Sequence, residues 1–256
     1  MKILSQNCNG IRSSIAKGLF DLVKKEKPDI VCLQEVKALP GQMSEEIWKK
    51  MGYEFSVTNP AEKKGYSGVA IFSKLEPKKI TLGIGDEFFD KEGRSITLEF
   101  SNFFLENTYF PSGTSGEERQ ALKMRFLDFY FQRSSNSKKK TIPKIICGDV
   151  NIAHTPVDIH DPKGNAKNSG FLPEERAWLT QFLDSGFTDA FRKKYPSAKD
   201  EYSWWTYRFG ARDRNKGWRI DYFFVSSKHD SIIEDCYINR DHKISDHAAV
   251  VLKTSL

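Results

Sequence analysis

The sequence lacks the features of membrane-spanning and secreted proteins. None of its apolar runs approaches the roughly 20 residues that a membrane-spanning helix needs. The segment from Met1 to Asn7 turns polar too early for a secretory signal peptide. The four cysteines form no CxxC pair, and a structural zinc site would need such clustered ligands. We therefore expect a soluble, cytoplasmic protein with reduced cysteines.

Internal repeats and Pro/Gly/Ser-rich linkers are also missing. A chain of 256 residues with 39% hydrophobic residues can bury a substantial core, and we expect one domain over residues 1–256. The polar patch from Ser134 to Lys140 is predicted to be an exposed loop of that domain. The net charge of +6 suits an anionic partner but does not identify one.

Short apolar strand patterns alternate irregularly with helical patterns. Strands are predicted at Ile3–Gln6, Ile30–Gln34, Gly68–Ser73, Ser95–Phe100, Phe103–Tyr109, Lys144–Cys147, Tyr222–Val225 and Ala248–Leu252. Helices are predicted over Ala16–Lys25, over Glu117–Arg133 and from Pro173 onward. Because hairpin-like strand pairs interrupt the βα order, a single parallel sheet is disfavoured. The pattern predicts an α/β fold in which two mixed sheets pack face to face with helices outside.

Polar side chains follow several of the predicted strands at the point where each strand ends. These residues are Asn7 and Asn9, Gln34 and Glu35, Tyr109, and Asp149 with Asn151. Residues at strand ends of α/β folds face the edge where ligands bind. The sequence therefore predicts that these strand ends converge on one cleft.

Carboxylate and amide oxygens in this set suit a hard cation such as Mg²⁺ or Mn²⁺. We interpret Glu35 as a metal ligand, the alternative being a solvated acid at a strand end. Asn7 adds an amide oxygen, directly or through water, or it only ends its strand. Asp149 can accept a proton from a water that Asn151 holds, the alternative being an Asx turn after Gly148.

The last forty residues carry a second acidic set beside a histidine. Asp221 begins one apolar run, and Asp246 and His247 stand just before another. A carboxylate could hold a cationic His247 against a phosphate. A Ser-His-Asp nucleophile is the competing hypothesis, which we reject because no serine lies in a Gly-x-Ser-x-Gly elbow. Metal-assisted attack by water fits these residue types better.

Residues 202–219 interleave aromatic rings with cations, among them Arg208. Bases and sugars can pack on such rings while the cations hold phosphates. We interpret Trp204 and Trp218 as a ligand surface and Trp205 as a core residue. The basic loop 162–170 carries Asn165 and Asn168, and a plain surface loop is its alternative interpretation.

Taken in order, these motifs resemble the exonuclease III family of apurinic/apyrimidinic (AP) endonucleases, within the endonuclease/exonuclease/phosphatase superfamily. The resemblance covers nearly the whole chain. It is carried by Asn7-Cys8-Asn9-Gly10, Leu33-Gln34-Glu35, Tyr66-Ser67-Gly68-Val69-Ala70, Tyr109-Phe110-Pro111, Gly148-Asp149-Val150-Asn151, Lys163-Gly164-Asn165, Asn168-Ser169-Gly170-Phe171, Gly217-Trp218-Arg219-Ile220-Asp221-Tyr222 and Ser245-Asp246-His247.

The resemblance implies a four-layer α/β sandwich and Mg²⁺-dependent hydrolysis of the phosphodiester 5′ to an abasic site, leaving a 3′-hydroxyl. It implies a monomer acting on double-stranded DNA with abasic sites or damaged 3′ ends. The first alternative is an enzyme that is mainly a double-strand 3′→5′ exodeoxyribonuclease. A phosphoesterase acting on a lipid or inositol phosphate and a DNA-binding protein without catalysis are further alternatives.

The resemblance also implies roles for individual residues. Metal ligands or near neighbours of the metal would be Asn7, Glu35, Asp149, Asn151, Asp246 and His247. Catalytic roles would fall to Tyr109, Asp149, Asn151, Asp221 and His247. DNA would be contacted by Asn165, Asn168, Trp204, Arg208, Trp218 and Ile220. In three places the chain departs from its relatives. Asn9 stands where other branches carry an Asp, the loop after Tyr109 lacks the Arg that some relatives insert into the DNA groove, and Arg208-Phe209 replaces a different DNA-inserting pair.

Overall fold

The computed structural model describes residues 1–135 and 141–256. The strands are β1 Lys2–Asn7, β2 Ile30–Gln34, β3 Phe55–Asn59, β4 Val69–Ser73, β5 Lys79–Leu82, β6 Ser95–Glu99, β7 Phe104–Thr108, β8 Lys144–Asp149, β9 Phe187–Asp189, β10 Asp221–Ser226, β11 Ile233–Asn239 and β12 Ala249–Thr254. The α-helices are α1 Ile11–Ala16, α2 Leu19–Glu26, α3 Glu45–Lys50, α4 Glu87–Asp90, α5 Glu117–Ser135, α6 Pro173–Asp184 and α7 Ala190–Lys194.

The strands form two six-stranded sheets. The first has the order β11-β12-β1-β2-β4-β3, and the second has the order β5-β6-β7-β8-β10-β9. Each sheet contains a parallel pair, β1 with β2 and β7 with β8, among antiparallel neighbours. The predicted pair of mixed sheets is therefore confirmed.

The main core lies between the sheets, because both contribute fully buried apolar residues to one cluster, such as Ile3 and Cys32 from the first and Leu105 and Phe223 from the second. Helices α2 and α3 cover the outer face of the first sheet, and α5 and α6 cover that of the second. The predicted four-layer α/β sandwich is thus confirmed.

Two predicted segments differ from the structure. The helix predicted over Ala16–Lys25 begins only at Leu19 as α2, because Gly18 before it has a left-handed backbone (φ 99°) and Ala16 ends the preceding helix α1. The exposed loop predicted from Ser134 is wrong at its first residue, since Ser134 is buried within α5. The rest of that patch, residues 136–140, lies outside the described residues. Within the described ranges, no helix is long and apolar enough to cross a membrane.

The topology brings the polar strand ends to one edge. The parallel pairs β1/β2 and β7/β8 both end there. Strand β10 starts at the same place, because Asp221 pairs with Asp149 in antiparallel register. The two sheets are also tied by a buried hydrogen bond from Gln34 Nε2 to Asn107 Oδ1 (2.7 Å). The convergence predicted from the strand ends follows directly from this arrangement.

Candidate active site

Three potential ligand groups meet at this edge. Glu35 follows β2, Asp149 ends β8, and His247 precedes β12, and one ligand atom from each lies within 4.8 Å of the other two. Asn7, at the end of β1, donates from Nδ2 to both carboxylates at 2.9 Å. Its amide oxygen accepts the backbone N–H of Asn9 (2.9 Å). Asn7 therefore spaces the two carboxylates from one another.

The residues present fit a hard divalent cation. The carboxylates of Glu35 and Asp149 lie together, and carboxylate oxygens are the ligands that Mg²⁺ prefers. Lys37 Nζ lies 2.9 Å from Glu35 Oε2 and also donates to Asn9 Oδ1 (2.6 Å). Burial would raise the pKa of Glu35, but the charge of Lys37 and the hydrogen bond from Asn7 together outweigh it and lower the pKa. Glu35 is therefore held as a carboxylate, ready for a cation.

Asp149 is buried at the centre of the group. Its Oδ1 accepts the backbone N–H of Asn151 (2.9 Å), and its Oδ2 accepts Asn7 Nδ2. Burial and the nearby charge of Asp221 raise its pKa to about 8, against the opposing effect of His247. The preceding Gly148 is required because a Cβ there would collide with the carbonyl oxygen of Thr108. A carboxyl group with such a pKa is suited to exchange a proton at neutral pH.

His247 is held by Asp221. Nδ1 lies 2.9 Å from Asp221 Oδ2, which leaves Nε2 facing the cleft, 3.9 Å from Asp149 Oδ2. Burial alone would lower the pKa of His247, but the charge and hydrogen bond of Asp221 outweigh it and raise the pKa to about 10. The imidazole is therefore cationic at neutral pH, in the orientation needed to meet an anionic group.

Asn151 and Tyr109 complete the cleft floor. Asn151 has a left-handed backbone (φ 57°), and its Nδ2 donates to the carbonyl oxygen of Phe110 (3.0 Å). Tyr109 follows β7, and its ring lies under the Arg94 guanidinium at 4.9 Å. Arg94 also donates to the Tyr109 carbonyl (3.1 Å). Burial and the neighbouring Glu35 raise the pKa of Tyr109 well above its usual value, so its hydroxyl stays a proton donor.

A cavity of about 480 Å³ opens over these groups. Its apolar side is formed by Trp204, Trp218 and Ile220. The two indoles meet edge to face with centroids 5.8 Å apart. Gly170 lies against this wall, and a Cβ there would come within 2.8 Å of Trp218 Cζ3. The volume is typical of a site for a small organic group.

The other residues singled out from sequence take different positions. Asn168 lines the cavity, whereas Asn165 lies outside its lining and accepts the Asn168 amide (2.8 Å). Arg208 is exposed beyond the lining residues. Asp246 lines the cavity, but its oxygens accept Asn9 Nδ2 (3.0 Å) and Trp204 Nε1 (3.1 Å), apart from the group of three. Trp205 is a core residue, as predicted, at 2% exposure.

Several residues that shape the site were not found from sequence. Lys37 follows Glu35 by two positions, so the sequence shows a nearby positive charge but not that its side chain points toward the Glu35 carboxylate. Arg94 and Lys123 lie 15 and 28 residues from the groups whose carbonyl oxygens they contact, and no local signal marks them. Ser112 and Thr114, which line the cavity, belong to a loop of ordinary turn residues.

Comparison with known proteins agrees with this geometry. Residues 4–247 match the Endonuclease/Exonuclease/phosphatase family. The chain is 46% identical to an exodeoxyribonuclease of Bacillus subtilis (strain 168), covering 98% of each. It is 43% identical to the DNA repair nuclease APEX1 of Danio rerio, covering 98% of this chain and 81% of the relative. The solved structure of an AP endonuclease from Archaeoglobus fulgidus superimposes with a TM-score of 0.91, at 29% identity and 100% coverage of both chains.

These relatives confirm both the family and the class of enzyme predicted from the sequence, a nuclease of the DNA-repair type. The family is metal-dependent, in keeping with the acidic group at the sheet edge. The chain belongs to the endonuclease/exonuclease/phosphatase family.

Proposed function

We propose that this protein is a Mg²⁺-dependent AP endonuclease of base-excision repair. It hydrolyses the phosphodiester 5′ to an abasic site in double-stranded DNA and leaves a 3′-hydroxyl, acting as a single-domain monomer in the cytoplasm. The observation that carries the proposal is the placement of Glu35, Asp149 and His247 directly beside an indole-walled cavity. The relatives named as AP endonuclease and DNA repair nuclease support it.

The cavity favours a sugar without a base. Extruding a nucleotide from the duplex costs least where no base is stacked or paired. The rings of Trp204 and Trp218 offer an apolar face for the deoxyribose. Gly170 packs closely against Trp218, so this ring cannot move aside to enlarge the cavity. A normal nucleotide would have to bring its base as well. Selectivity then arises from shape and from the cost of unstacking.

The residues of the cleft divide the chemistry between them. Glu35 and Asp149 would hold Mg²⁺, with Asn7 hydrogen-bonded to both carboxylates and Asp246 elsewhere on the cavity lining. The ion would neutralise charge on the scissile phosphate. As water attacks the phosphorus, Asp149 takes the proton of that water, which Asn151 helps to orient. The bond from phosphorus to the 3′-oxygen breaks, and that oxygen takes a proton from solvent to become the 3′-hydroxyl. His247, charged and fixed by Asp221, stabilises the anionic oxygens.

The remaining site residues bind and orient DNA. Tyr109 keeps its hydroxyl proton and donates a hydrogen bond to a phosphate oxygen. Ile220, Trp204 and Trp218 take the flipped sugar, and Asn168 contacts the strand at the cavity rim, with Asn165 behind it. Arg208 holds a phosphate outside the cavity.

A second activity, 3′→5′ exonuclease and 3′-end trimming, is favoured by the 46% identity to an exodeoxyribonuclease. The same hydrolytic groups serve both reactions, since each cleaves a phosphodiester. The ratio of the two activities depends on how the loops hold a duplex interior or a recessed end.

A cleavage assay tests the proposal. Three substrates are compared with Mg²⁺ and with excess chelator: a duplex with one abasic analogue, an intact duplex with a recessed 3′ end, and a soluble inositol phosphate. We expect rapid Mg²⁺-dependent nicking of the abasic duplex, slower end digestion and no release of inorganic phosphate. Undiminished nicking in chelator, or preference for the inositol phosphate, would refute the proposal.

Asp149→Ala should lower kcat on the abasic duplex at least about a thousandfold, because the variant has no carboxylate to take the proton. DNA affinity, measured by fluorescence anisotropy in chelator, should stay within about threefold. Asp241→Ala, which removes an exposed carboxylate paired with Lys25, is the matched control and should cleave normally. Near-normal turnover by Asp149→Ala would rule out its proton role.

A further inference from the structure

A buried ion pair lies behind the cleft, outside the residues so far given a role. Lys123 of α5 and Glu175 in the first turn of α6 are both fully buried, with Nζ 2.6 Å from Oε1. Burying such a pair costs several kcal/mol per ion, and apolar replacements of similar volume are often as stable. Stability is therefore a weak reason for its presence, and the groups it contacts give a better one.

Lys123 contacts the segment after β8 that carries Asn151, here called the catalytic loop. Its Nζ donates to the backbone carbonyl of Asn151 at 2.8 Å. Asn151 is in the left-handed region, which asparagine tolerates better than most residues with a side chain. The hydrogen bond fixes the peptide that follows Asn151, whose Nδ2 donates to Asp149 Oδ2 (3.3 Å) and to the Phe110 carbonyl (3.0 Å).

Glu175 binds the segment 168–170 on the other side of the cavity. Its Oε2 accepts the backbone N–H groups of Gly170 (2.6 Å) and Leu172 (3.0 Å). Its Oε1 accepts Lys123 and lies 3.3 Å from the hydroxyl oxygen of Ser169. Ser169 and Gly170 line the cavity, and Gly170 is the residue that packs on Trp218. One carboxylate therefore sets the position of the lesion-facing segment 168–170.

The 112–114 loop, which also lines the cavity, is linked to the same pair through Gln120. Its Nε2 donates to Glu175 Oε1 (3.1 Å), and its Oε1 accepts the Ser169 hydroxyl (2.7 Å). Gly113, in the loop beside Ser112, packs so closely on Gln120 that a Cβ would collide with its amide. The catalytic loop, the 168–170 segment and the 112–114 loop thus meet on one buried pair.

We propose that Lys123 and Glu175 are positioning residues for strand cleavage, acting through Asn151 and the 168–170 segment. This inference rests on the proposed function, because it concerns the same cleft. The pair sets the distance between the hydrolytic groups and the sugar-binding wall. Errors of about 1 Å in such a distance cost roughly a hundredfold in rate.

The test is the double variant Lys123→Met/Glu175→Gln, which keeps side-chain length and removes both charges together. We expect kcat on the abasic duplex to fall about 30- to 300-fold with KM within about threefold, because orientation is lost while DNA contacts remain. The urea midpoint should move little, since no uncompensated buried charge is left. Glu26→Gln is the matched control: it changes a buried, triply hydrogen-bonded glutamate at the other end of β1 and should leave kcat unchanged.

A double-mutant comparison separates positioning from general loosening. Asn151→Ala is made in the wild type and in the Lys123→Met/Glu175→Gln background. If the pair acts through Asn151, the two losses in kcat are far from multiplicative, and Asn151→Ala costs at least about fivefold less in the variant background. Multiplicative losses would overturn that part of the proposal.

Ser169→Ala is a milder variant, because the buried charges of Lys123 and Glu175 stay paired. Losing its hydrogen bonds should lower kcat/KM on the abasic duplex about three- to tenfold at an unchanged unfolding midpoint. The inference fails if the double variant keeps wild-type kcat, or, should that variant not fold, if Ser169→Ala cleaves like wild type. Because wild-type cleavage of the abasic duplex tests the proposed function separately, the two failures are distinguishable.

Discussion

Replacing Asp221 by Asn tests how the cleft meets an anionic phosphate. Asp221 is buried and accepts His247 Nδ1 at 2.9 Å, so the substitution removes one charge with almost no change in size. The imidazole then loses the partner that keeps it cationic. It also loses the partner that fixes its tautomer and its direction.

The expected magnitude follows from the contacts. Burial would lower the pKa of His247, and Asp221 is the first of the opposing groups that raise it to about 10. Removing a neighbouring carboxylate lowers such a pKa by about one to three pH units, to roughly 7 to 9. A hydrogen bond to a charged group contributes about 1.5–3 kcal/mol, which corresponds to a loss of about 10- to 150-fold in rate.

The assay is single-turnover cleavage of an abasic duplex in Mg²⁺ from about pH 6 to about pH 10. For the wild type, His247 keeps its proton over most of this range, so the alkaline decline should begin near its upper end. For Asp221→Asn the decline should begin one to three pH units lower, on top of the lower maximal rate. Asp241→Asn, at an exposed carboxylate, should retain the wild-type profile. A rate within threefold of wild type and an unmoved alkaline limb would refute the assigned role of Asp221.

Two further predictions concern the cavity wall and acid stability. Trp218→Ala should lower kcat/KM on the abasic duplex by about 5- to 150-fold, because an aromatic stacking contact contributes roughly 1–3 kcal/mol. The loss on a recessed 3′ end should be smaller. Equal losses on both substrates would contradict a cavity wall that is specific for the abasic sugar. Burial would raise the pKa of Glu106, but Lys144 and Arg133 hold it well below its usual value near 4.5. Its contribution to folding is therefore full above about pH 4.5 and is lost as the pH falls further. The stability deficit of Glu106→Gln in urea unfolding should accordingly be large at neutral pH and shrink in acid, whereas a deficit independent of pH would show that charge is not the cause.

The strand ends explain why much of the site was predictable. An apolar run followed at once by a polar group marks the edge of a sheet, and Glu35, Tyr109 and Asp149 all carry that local signal. Asp221 was equally visible because it begins its strand. Their convergence required only that parallel strands share an edge. Whether each of these residues has its assigned role stays a prediction.

The sequence predicted which residues line the cleft better than it predicted where each side chain lies within it. Asp246 and His247 are neighbours in sequence, yet only His247 joins Glu35 and Asp149, because the oxygens of Asp246 bind Asn9 and Trp204. Asn165 and Asn168 are also the same residue type in one basic loop, but only Asn168 lines the cavity. Side-chain direction depends on packing, which residue type does not specify.

By itself the sequence determined the layered α/β fold, the family and the residue types at the sheet edge, because strand periodicity and short motifs are local properties of the chain. Only the tertiary structure decided which groups touch. It placed Lys37 on Glu35, and it buried Lys123 and Glu175 under the catalytic loop. Those contacts join residues up to 52 positions apart, as between Lys123 and Glu175. Their geometry is set by how whole sheets and helices pack, so no local pattern could contain it.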